Sequence, residues 1–241
     1  MKKVIFILSI AFGVISCAST KQTATIKLTP KQPDVYTKPI LSEFLSKNKK
    51  PAVIIRVPEQ NSVIANSNII SLSSTYNTIE KEFVKEGYIV RDRAIFEKVA
   101  NQNQSIDYSK LQSITGVDLL IELVSVSDFT IITNKYYDKK GREKTMNTDA
   151  SFTGKKIEFK IVKLKENEIA GNYTFFFTPC IGGCTYAYYP QWGLFDQKYT
   201  INKMNVQVFK NMPYEAVFSS DSWELFIKQA TDTMIQQMKN N

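Results

Sequence analysis

The chain has 241 residues, of which 43% are hydrophobic and 22% charged, and its 31 basic and 23 acidic side chains give a net charge of +8. This length is enough for one large domain or two small ones, with a real core. The moderate basic excess favours solubility, with binding to lipid headgroups or other envelope polyanions as the alternative, and we expect no nucleic-acid partner. The absence of histidine excludes Ser-His-Asp and Cys-His catalysis and histidine zinc sites, and the sequence has no glycine-rich phosphate loop, so we expect no enzymatic activity, metal or cofactor.

The first predicted element is a bacterial lipoprotein signal. Two lysines precede an apolar stretch at residues 4–14, which is shorter than the roughly 20 residues of a membrane-spanning helix, and a small residue comes directly before Cys17. The sequence Val14-Ile15-Ser16-Cys17 resembles the lipobox that lipoprotein signal peptidase reads. The resemblance implies that residues 1–16 are removed and that Cys17 carries acyl chains, palmitate among them, as a membrane anchor. An ordinary secretory signal peptide is the alternative.

A flexible tether is predicted to follow the signal. Residues 17–39 are rich in Thr, Lys, Gln and Pro, and Pro30 and Pro33 interrupt any regular pattern. We therefore expect one folded domain over residues 40–241, beginning near Ile40.

The folded part is predicted to mix strands and helices. Apolar runs predict strands at 52–57, 88–90 and 118–127. Helical periodicity predicts one helix at 72–86, between the first two strands, and two more at 94–102 and 108–115, between the second and the third. Gly87 and Gly116 stand where helix C-caps are expected. A hairpin at 157–178 and a closing helix capped by Asp221 follow, and that helix has an apolar stripe of Trp223, Phe226, Ile227, Ala230, Met234 and Met238. This order predicts the α/β (α+β) class, with a mixed β-sheet packed against helices.

Two cysteines remain beyond the signal. Cys180 and Cys184 are separated by three residues, of which two are glycines that permit tight closure. In an oxidising compartment the pair predicts a disulfide that acts as a local staple, because the redox-active spacing Cys-x-x-Cys is one residue shorter. Free thiols are the alternative.

Short motifs in the first half carry a family resemblance. The matching residues are Gly87, Val90, Asp92 and Arg93 in a phrase "G-x-x-V-x-D-R", and Gly116 and Asp118 in a phrase "G-A-D". With the order of elements over most of residues 50–240, they resemble the periplasmic domain of the curli secretion channel CsgG and its relatives. The alternative needs no family: the glycines end helices, and the charged residues stand at the ends of elements.

The resemblance implies one of two functions. In the secretion channels, two long hairpin inserts from each subunit of a ring form an outer-membrane pore, whereas in soluble relatives the domain binds a partner. Residues 129–156 and 178–212 are long enough to be such hairpin-like inserts. The leading hypothesis is an oligomeric component of an outer-membrane export or surface-assembly apparatus. The alternative is a lipid-tethered binding module that regulates an envelope enzyme or complex, such as one of peptidoglycan synthesis.

Aromatic and basic side chains in the inserts are the candidate contacts for a partner or a membrane. They are Tyr136, Tyr137, Lys139, Lys140, Arg142, Tyr186, Tyr188, Tyr189 and Trp192. The expected partners are the membrane, through acylated Cys17, envelope proteins or exported polypeptides, and further copies of the chain. The residue directly after Cys17 is Ala18 and not aspartate. In the lipoproteins that the chain resembles, the absence of aspartate at this position implies sorting to the outer membrane, and we expect the domain to face the periplasm.

Overall fold

The computed structural model describes residues 22–56, 72–94, 108–188 and 220–240. Within these ranges the strands are β1 (Gln22–Ile26), β2 (Asp34–Thr37), β3 (Ala52–Arg56), β4 (Ile89–Val90), β5 (Leu119–Asp138), β6 (Glu143–Lys163), β7 (Glu168–Phe177) and β8 (Cys184–Tyr188). The helices are α1 (Pro39–Lys47), α2 (Leu72–Lys85), α3 (Tyr108–Thr115) and α4 (Ser220–Asn240). The predicted helix at 94–102 lies almost wholly outside these ranges, as does the second predicted insert after residue 188.

All of these strands belong to one mixed sheet. β2, β7, β6 and β5 are consecutive antiparallel neighbours, and β3 lies parallel to both β4 and the beginning of β5. β1 and β8 form an antiparallel pair beside the far end of β5. We call the end of the sheet at Leu119 the base and the end at Asp138 the tip. The helices packed on this mixed sheet confirm the predicted α/β (α+β) class.

Strand β3 is buried along most of its length. Ala52, Val53, Ile54 and Ile55 are all buried, because α1, α2 and α4 cover one face of the sheet here and α3 covers the other. A continuous apolar run is the expected pattern for such a strand. Helix α2 supplies the crossover that the parallel pairing of β3 with β4 requires.

Helix α4 closes the main core. All six residues of its predicted apolar stripe are buried in the same cluster as the apolar side chains of β5, β6 and β7, which confirms the stripe. Trp223 donates a hydrogen bond from Nε1 to Thr75 Oγ1 of α2 at 3.0 Å. Asp221 lies in the first turn of α4 and not at the predicted N-cap, since the helix already includes Ser220. Its negative charge still suits the positive end of the helix dipole.

The motif residues have local structural roles. Gly87 and Gly116 have φ of 88° and 64°, the left-handed conformation that ends a helix, which confirms both predicted C-caps. Asp92 accepts a hydrogen bond from the backbone N–H of Ala94 at 2.8 Å. Asp118 accepts one from the N–H of Ala52, also at 2.8 Å, and so fixes the start of β3 beside β5.

Strands β5 and β6 form one long hairpin of 20 and 21 residues, which includes the first predicted insert. At about 3.3 Å per residue it is about 65 Å long. The half of the hairpin near the base and the half near the tip are buried on opposite faces of the sheet. Near the base, the helices cover the face that carries Val126 and Ile157. Toward the tip the opposite face, with Phe129 and Ile131, is the more buried one, and Ile132 on the helix side is exposed.

The predicted flexible tether at residues 17–39 is wrong from residue 22 onward. β1 pairs with β5 and β8, and β2 pairs with the outer edge of β7. Between these strands the chain crosses the hairpin, where Leu28 N–H donates to the Cys180 carbonyl at 3.3 Å. Ala24 and Ile26 of β1, and Leu28 just after it, alternate with polar residues and are buried. One face of this short segment is therefore apolar and is stabilised by packing. The folded domain therefore includes residue 22 and does not begin at 40.

Candidate functional site along the long hairpin

Strand β1 joins the two regions that supply the candidate contact residues. Ala24 lies opposite Asp138 of β5, and on the other side of β1 Gln22 lies opposite Tyr188 of β8. We call β1, β8 and residues 133–150 of the hairpin the distal ribbon. It contains Tyr136, Tyr137, Lys139, Lys140 and Arg142 and the backbone of Tyr186 and Tyr188, whereas Cys17, Tyr189 and Trp192 lie outside the described residues.

A small apolar cluster, separate from the main core, fastens β1 to the hairpin. Its buried members are Ala24, Ile26, Leu28, Met146, Ala150 and Cys180, and the half-buried Ile131, Tyr136, Phe152 and Cys184 pack against them. Burial of one aliphatic side chain of this size stabilises the fold by about 1.5–3 kcal/mol. The apolar face near the tip is thus filled by side chains of the same chain.

A glycine allows an aromatic ring to lie across β6 at the edge of this cluster. Gly154 is opposite Phe129, and a Cβ atom at position 154 would stand 2.4 Å from Phe129 Cε1. Phe129 packs edge to face against Phe176, with ring centroids 5.3 Å apart. Lys31 Nζ lies 4.1 Å from the centroid of the Phe176 ring, a cation–π contact that fixes where the N-terminal segment crosses the hairpin.

The disulfide lies at the corner between β7 and β8. Cys180 and Cys184 are bonded, which confirms the predicted pairing. Gly183, at φ of 98°, donates its N–H to the Cys180 carbonyl at 3.0 Å, and the same carbonyl accepts from Leu28. Since β8 begins at Cys184 and pairs with β1, the bond positions β8 and, through it, β1.

Opposite charges are paired at the hairpin turn. The Arg142 side chain lies 2.8 Å from Asp138, and its hydrogen bonds, with those of the Arg142 and Lys140 backbone N–H groups, lower the pKa of Asp138 to about 2. Lys135 lies 2.8 Å from Glu143 and, with the Tyr137 hydroxyl, lowers the pKa of that carboxyl. Both acidic groups of the turn therefore remain ionised and paired at neutral pH.

An excess of positive charge remains after this pairing. Residues 135–144 contain five basic and two acidic side chains, a net charge of +3. Lys139, Lys140 and Lys144 are exposed, and no described acidic side chain pairs with them. Lys27, which directly follows β1, adds a further charge, with Nζ 5.3 Å from the centroid of the Tyr137 ring.

The candidate tyrosines are only partly available for contact. Tyr136 packs into the small apolar cluster, and burial, with nearby Asp138, raises the pKa of its phenol. Tyr137 donates a hydrogen bond to Glu143 Oε2 at 3.2 Å. Lys27, Lys144 and Ile26 were not among the contact residues predicted from the sequence. The alternation of apolar and polar residues through β1 could have identified Ile26 as a buried strand residue.

Among the described residues, one edge of β5 has no strand partner between β3 and β1. β3 pairs with this edge as far as Glu122, and β1 pairs with it at Tyr137 and Asp138. In the part of the chain that the structure describes, no strand pairs with β5 between them on that side. We call residues 123–136 of β5 the open edge. The neighbouring face of the hairpin is exposed and mostly polar, with Thr130 opposite Thr153 and Ile132 opposite Ser151.

A pair of carboxyl groups lies far from the hairpin tip, between α2 and α4. Burial, together with the hydrogen bond and negative charge of Glu82, raises the pKa of Asp232. Burial acts in the same direction on Glu82, but hydrogen bonds from Lys85 and Asp232 outweigh it and lower the pKa of Glu82. Lys85 Nζ lies 3.0 Å from Glu82 Oε2. The pair joins two helices of the core, which is a structural role.

The described residues show neither a metal-binding cluster nor a membrane-spanning helix. In residues 22–56, 72–94, 108–188 and 220–240 no three Asp, Glu or Cys side chains gather in a way that would hold a metal ion. None of the helices described there is both long and apolar enough to cross a membrane.

Comparisons with known proteins show similarity to solved structures alone. No family model and no curated protein matches the chain. The hypothetical protein CT253 from Chlamydia trachomatis is 10% identical with a TM-score of 0.35, over 79% of this chain and 96% of that one. A PelC dodecamer from Paraburkholderia phytofirmans is 9% identical with a TM-score of 0.30, over 87% of this chain and 98% of that one. Lipoprotein GNA1162 from Neisseria meningitidis is 12% identical with a TM-score of 0.29, over 67% of this chain and 99% of that one. Such scores assign no activity, so function must rest on this chain's own residues.

Proposed function

We propose that the protein is a CsgG-like envelope lipoprotein, anchored to the outer membrane by acylated Cys17, that binds an extended segment of another envelope protein without catalysis. The observation that carries this proposal is the filled apolar face of the hairpin, where β1 and the disulfide loop cover Ile131 and Phe152. The hairpin near its tip presents polar side chains and backbone to its surroundings. Such a surface suits a protein partner in water better than lipid chains.

The open edge supplies the mode of binding. A strand edge offers unpaired N–H and C=O groups, and an extended polypeptide can add to it as a further strand. The open edge spans 14 positions between β3 and β1, which is longer than a typical strand of 5–6 residues. Ile132, which is 63% exposed on the adjoining face, is an apolar contact for the side chains of such a segment.

A second candidate is the oligomeric component of an export or surface-assembly apparatus. The length of the hairpin favours it, because strands of 20 and 21 residues extend well beyond the helical layer. In a ring, the open edge would accept a strand from the next copy of the chain. The two candidates differ in what occupies the same edge.

The first experiment is the mass and shape of the lipidated protein in mild detergent, by light scattering coupled to gel filtration and by negative-stain imaging. A monomer or dimer supports the binding module and contradicts the ring. A closed ring of many copies supports the second candidate and contradicts the first.

Site-specific crosslinking in cells then identifies the occupant of the edge. A photoreactive residue in place of Ile132 is expected to give an adduct with another envelope protein. The matched control is Ile169 of β7, 45% exposed and close to the base. An adduct between two copies of the chain favours the ring, and adducts at Ile169 but not at Ile132 would refute binding at the hairpin.

A further inference from the structure

The register of β1 places the start of the described chain at the tip of the hairpin. Ala24 is opposite Asp138 and β1 runs antiparallel to β5, so Gln22 lies two residues further toward the hairpin turn. β8 ends at the same place, since Tyr188 is opposite Gln22. Gln22, where the described chain begins, therefore lies beside the turn at residues 139–142 and not at the helical end.

The chain between Cys17 and Gln22 is short. Five peptide steps at their greatest extension span about 18 Å. If Cys17 is acylated, as the proposed function requires, Gln22 and the turn beside it are held within about this distance of the lipid surface. The base, which lies about 65 Å from the tip along the hairpin, is under no such restraint.

The side chains at the tip suit an anionic surface. Asp138 and Glu143 are already paired with Arg142 and Lys135. The three lysines of the excess charge point into solvent from the segment that the anchor holds near the headgroups; they are Lys139, Lys140 and Lys144. A lysine close to an anionic membrane strengthens binding by about fivefold, so three together contribute about 100-fold.

We propose that the hairpin turn, through Lys139, Lys140 and Lys144, rests on anionic lipid headgroups beside the acyl anchor and holds the hairpin upright, with the helical base directed away from the membrane. The inference rests on the proposed acylation of Cys17. It leaves the open edge, which lies between tip and base, free for the protein partner. Anchor and lysines act at neighbouring points, and the membrane therefore fixes the direction of the domain as well as its location.

The test measures orientation in lipid nanodiscs. The mature lipidated protein carries a fluorescent donor on one introduced cysteine, either T145C near the tip or K165C in the turn after β6, while Cys180 and Cys184 stay bonded to each other. Energy transfer to acceptors on lipid headgroups is recorded. In discs with anionic lipid we expect several-fold more transfer from position 145 than from position 165. In neutral discs we expect the ratio to fall toward one, because a domain held by its anchor alone can tilt and bring the base to the membrane.

Charge variants decide whether the lysines are responsible. Replacing the three exposed tip lysines with glutamine is expected to lower the transfer ratio in anionic discs to its value in neutral discs; these are K139Q, K140Q and K144Q. The matched control removes the same charge from three exposed lysines at the base and is expected to leave the ratio unchanged; these are K47Q, K49Q and K50Q. A ratio that follows neither lipid charge nor the tip lysines overturns the inference while the proposed function stands. An intact mass without acyl groups on Cys17 overturns both.

Discussion

Replacing Ile26 with alanine tests whether β1 is an integral strand of the fold. Ile26 is fully buried in the small apolar cluster, and the change removes three aliphatic carbons at about 0.8 kcal/mol each. The neighbouring Met146 and Ala150 belong to a paired strand and cannot collapse fully into the space, so a cavity term adds to the cost. We expect Ile26→Ala to lower the free energy of unfolding by about 3 kcal/mol.

Urea denaturation measures the loss, and hydrogen exchange locates it. Amides of β1 and β8 are expected to lose more protection than those of β3, because the cluster supports the distal ribbon and not the main core. The matched control is Ile132→Ala, the same change on the exposed face of the hairpin, which should cost about 0.5 kcal/mol or less. Equal effects of the two substitutions would refute the packing of β1 and restore the predicted tether.

Three further perturbations follow from the same contacts. Reduction of the disulfide releases a loop of about five residues and is expected to lower stability by about 2 kcal/mol, seen as a lower Tm with reductant. Gly154→Ala should cost about 1–3 kcal/mol in urea denaturation, because its Cβ would meet the Phe129 ring, and Phe129→Ala in the same chain should recover part of the loss. Asp232→Asn should stabilise the protein increasingly as pH rises, because folding raises the pKa of Asp232 and its favourable contribution is lost as the carboxyl ionises beside Glu82.

Each of these has an outcome that would contradict it. A Tm unchanged by reductant would show that the disulfide does not restrain the corner between β7 and β8. An additive double variant at positions 154 and 129 would exclude a clash with the ring. A stabilisation by Asp232→Asn that is the same at pH 4 and pH 7 would show that the two carboxyl groups do not interact.

The elements predicted well from sequence are those whose signals are local. The stripe of α4 repeats with helical periodicity, and Gly87 and Gly116 have the backbone conformation that glycine adopts most easily. The disulfide could be predicted for the same reason, since its two cysteines are only four positions apart in the sequence.

Strand β1 was missed because its partners are distant in sequence. It has five residues, and its contacts lie at the tip of a hairpin more than 100 residues later. A short alternating segment among Thr, Lys and Pro residues is typical of a linker until those partners are known.

The full extent of the hairpin was hard to predict because its covered face changes. The apolar positions of β5 are Leu123 and Val126 on the helix side and then Phe129 and Ile131 on the other side. A bulge lies between Leu123 and Ser125. No single alternation runs through β5, so the candidate contact residues at the tip were identified by composition and not as parts of one ribbon.

The pairing of β1 also determines how the domain would respond to mechanical force. A pull on the N-terminus, directed outward from the tip, acts along the axis of a strand that is paired with β8 over five residues and with β5 over two. Such a load shears all of these hydrogen bonds together, whereas a pull across the strand would break them one after another. An anchor joined to the sheet in this way would transmit tension from the membrane into the body of the domain, and the strand would hold under forces that would peel a loosely attached tail.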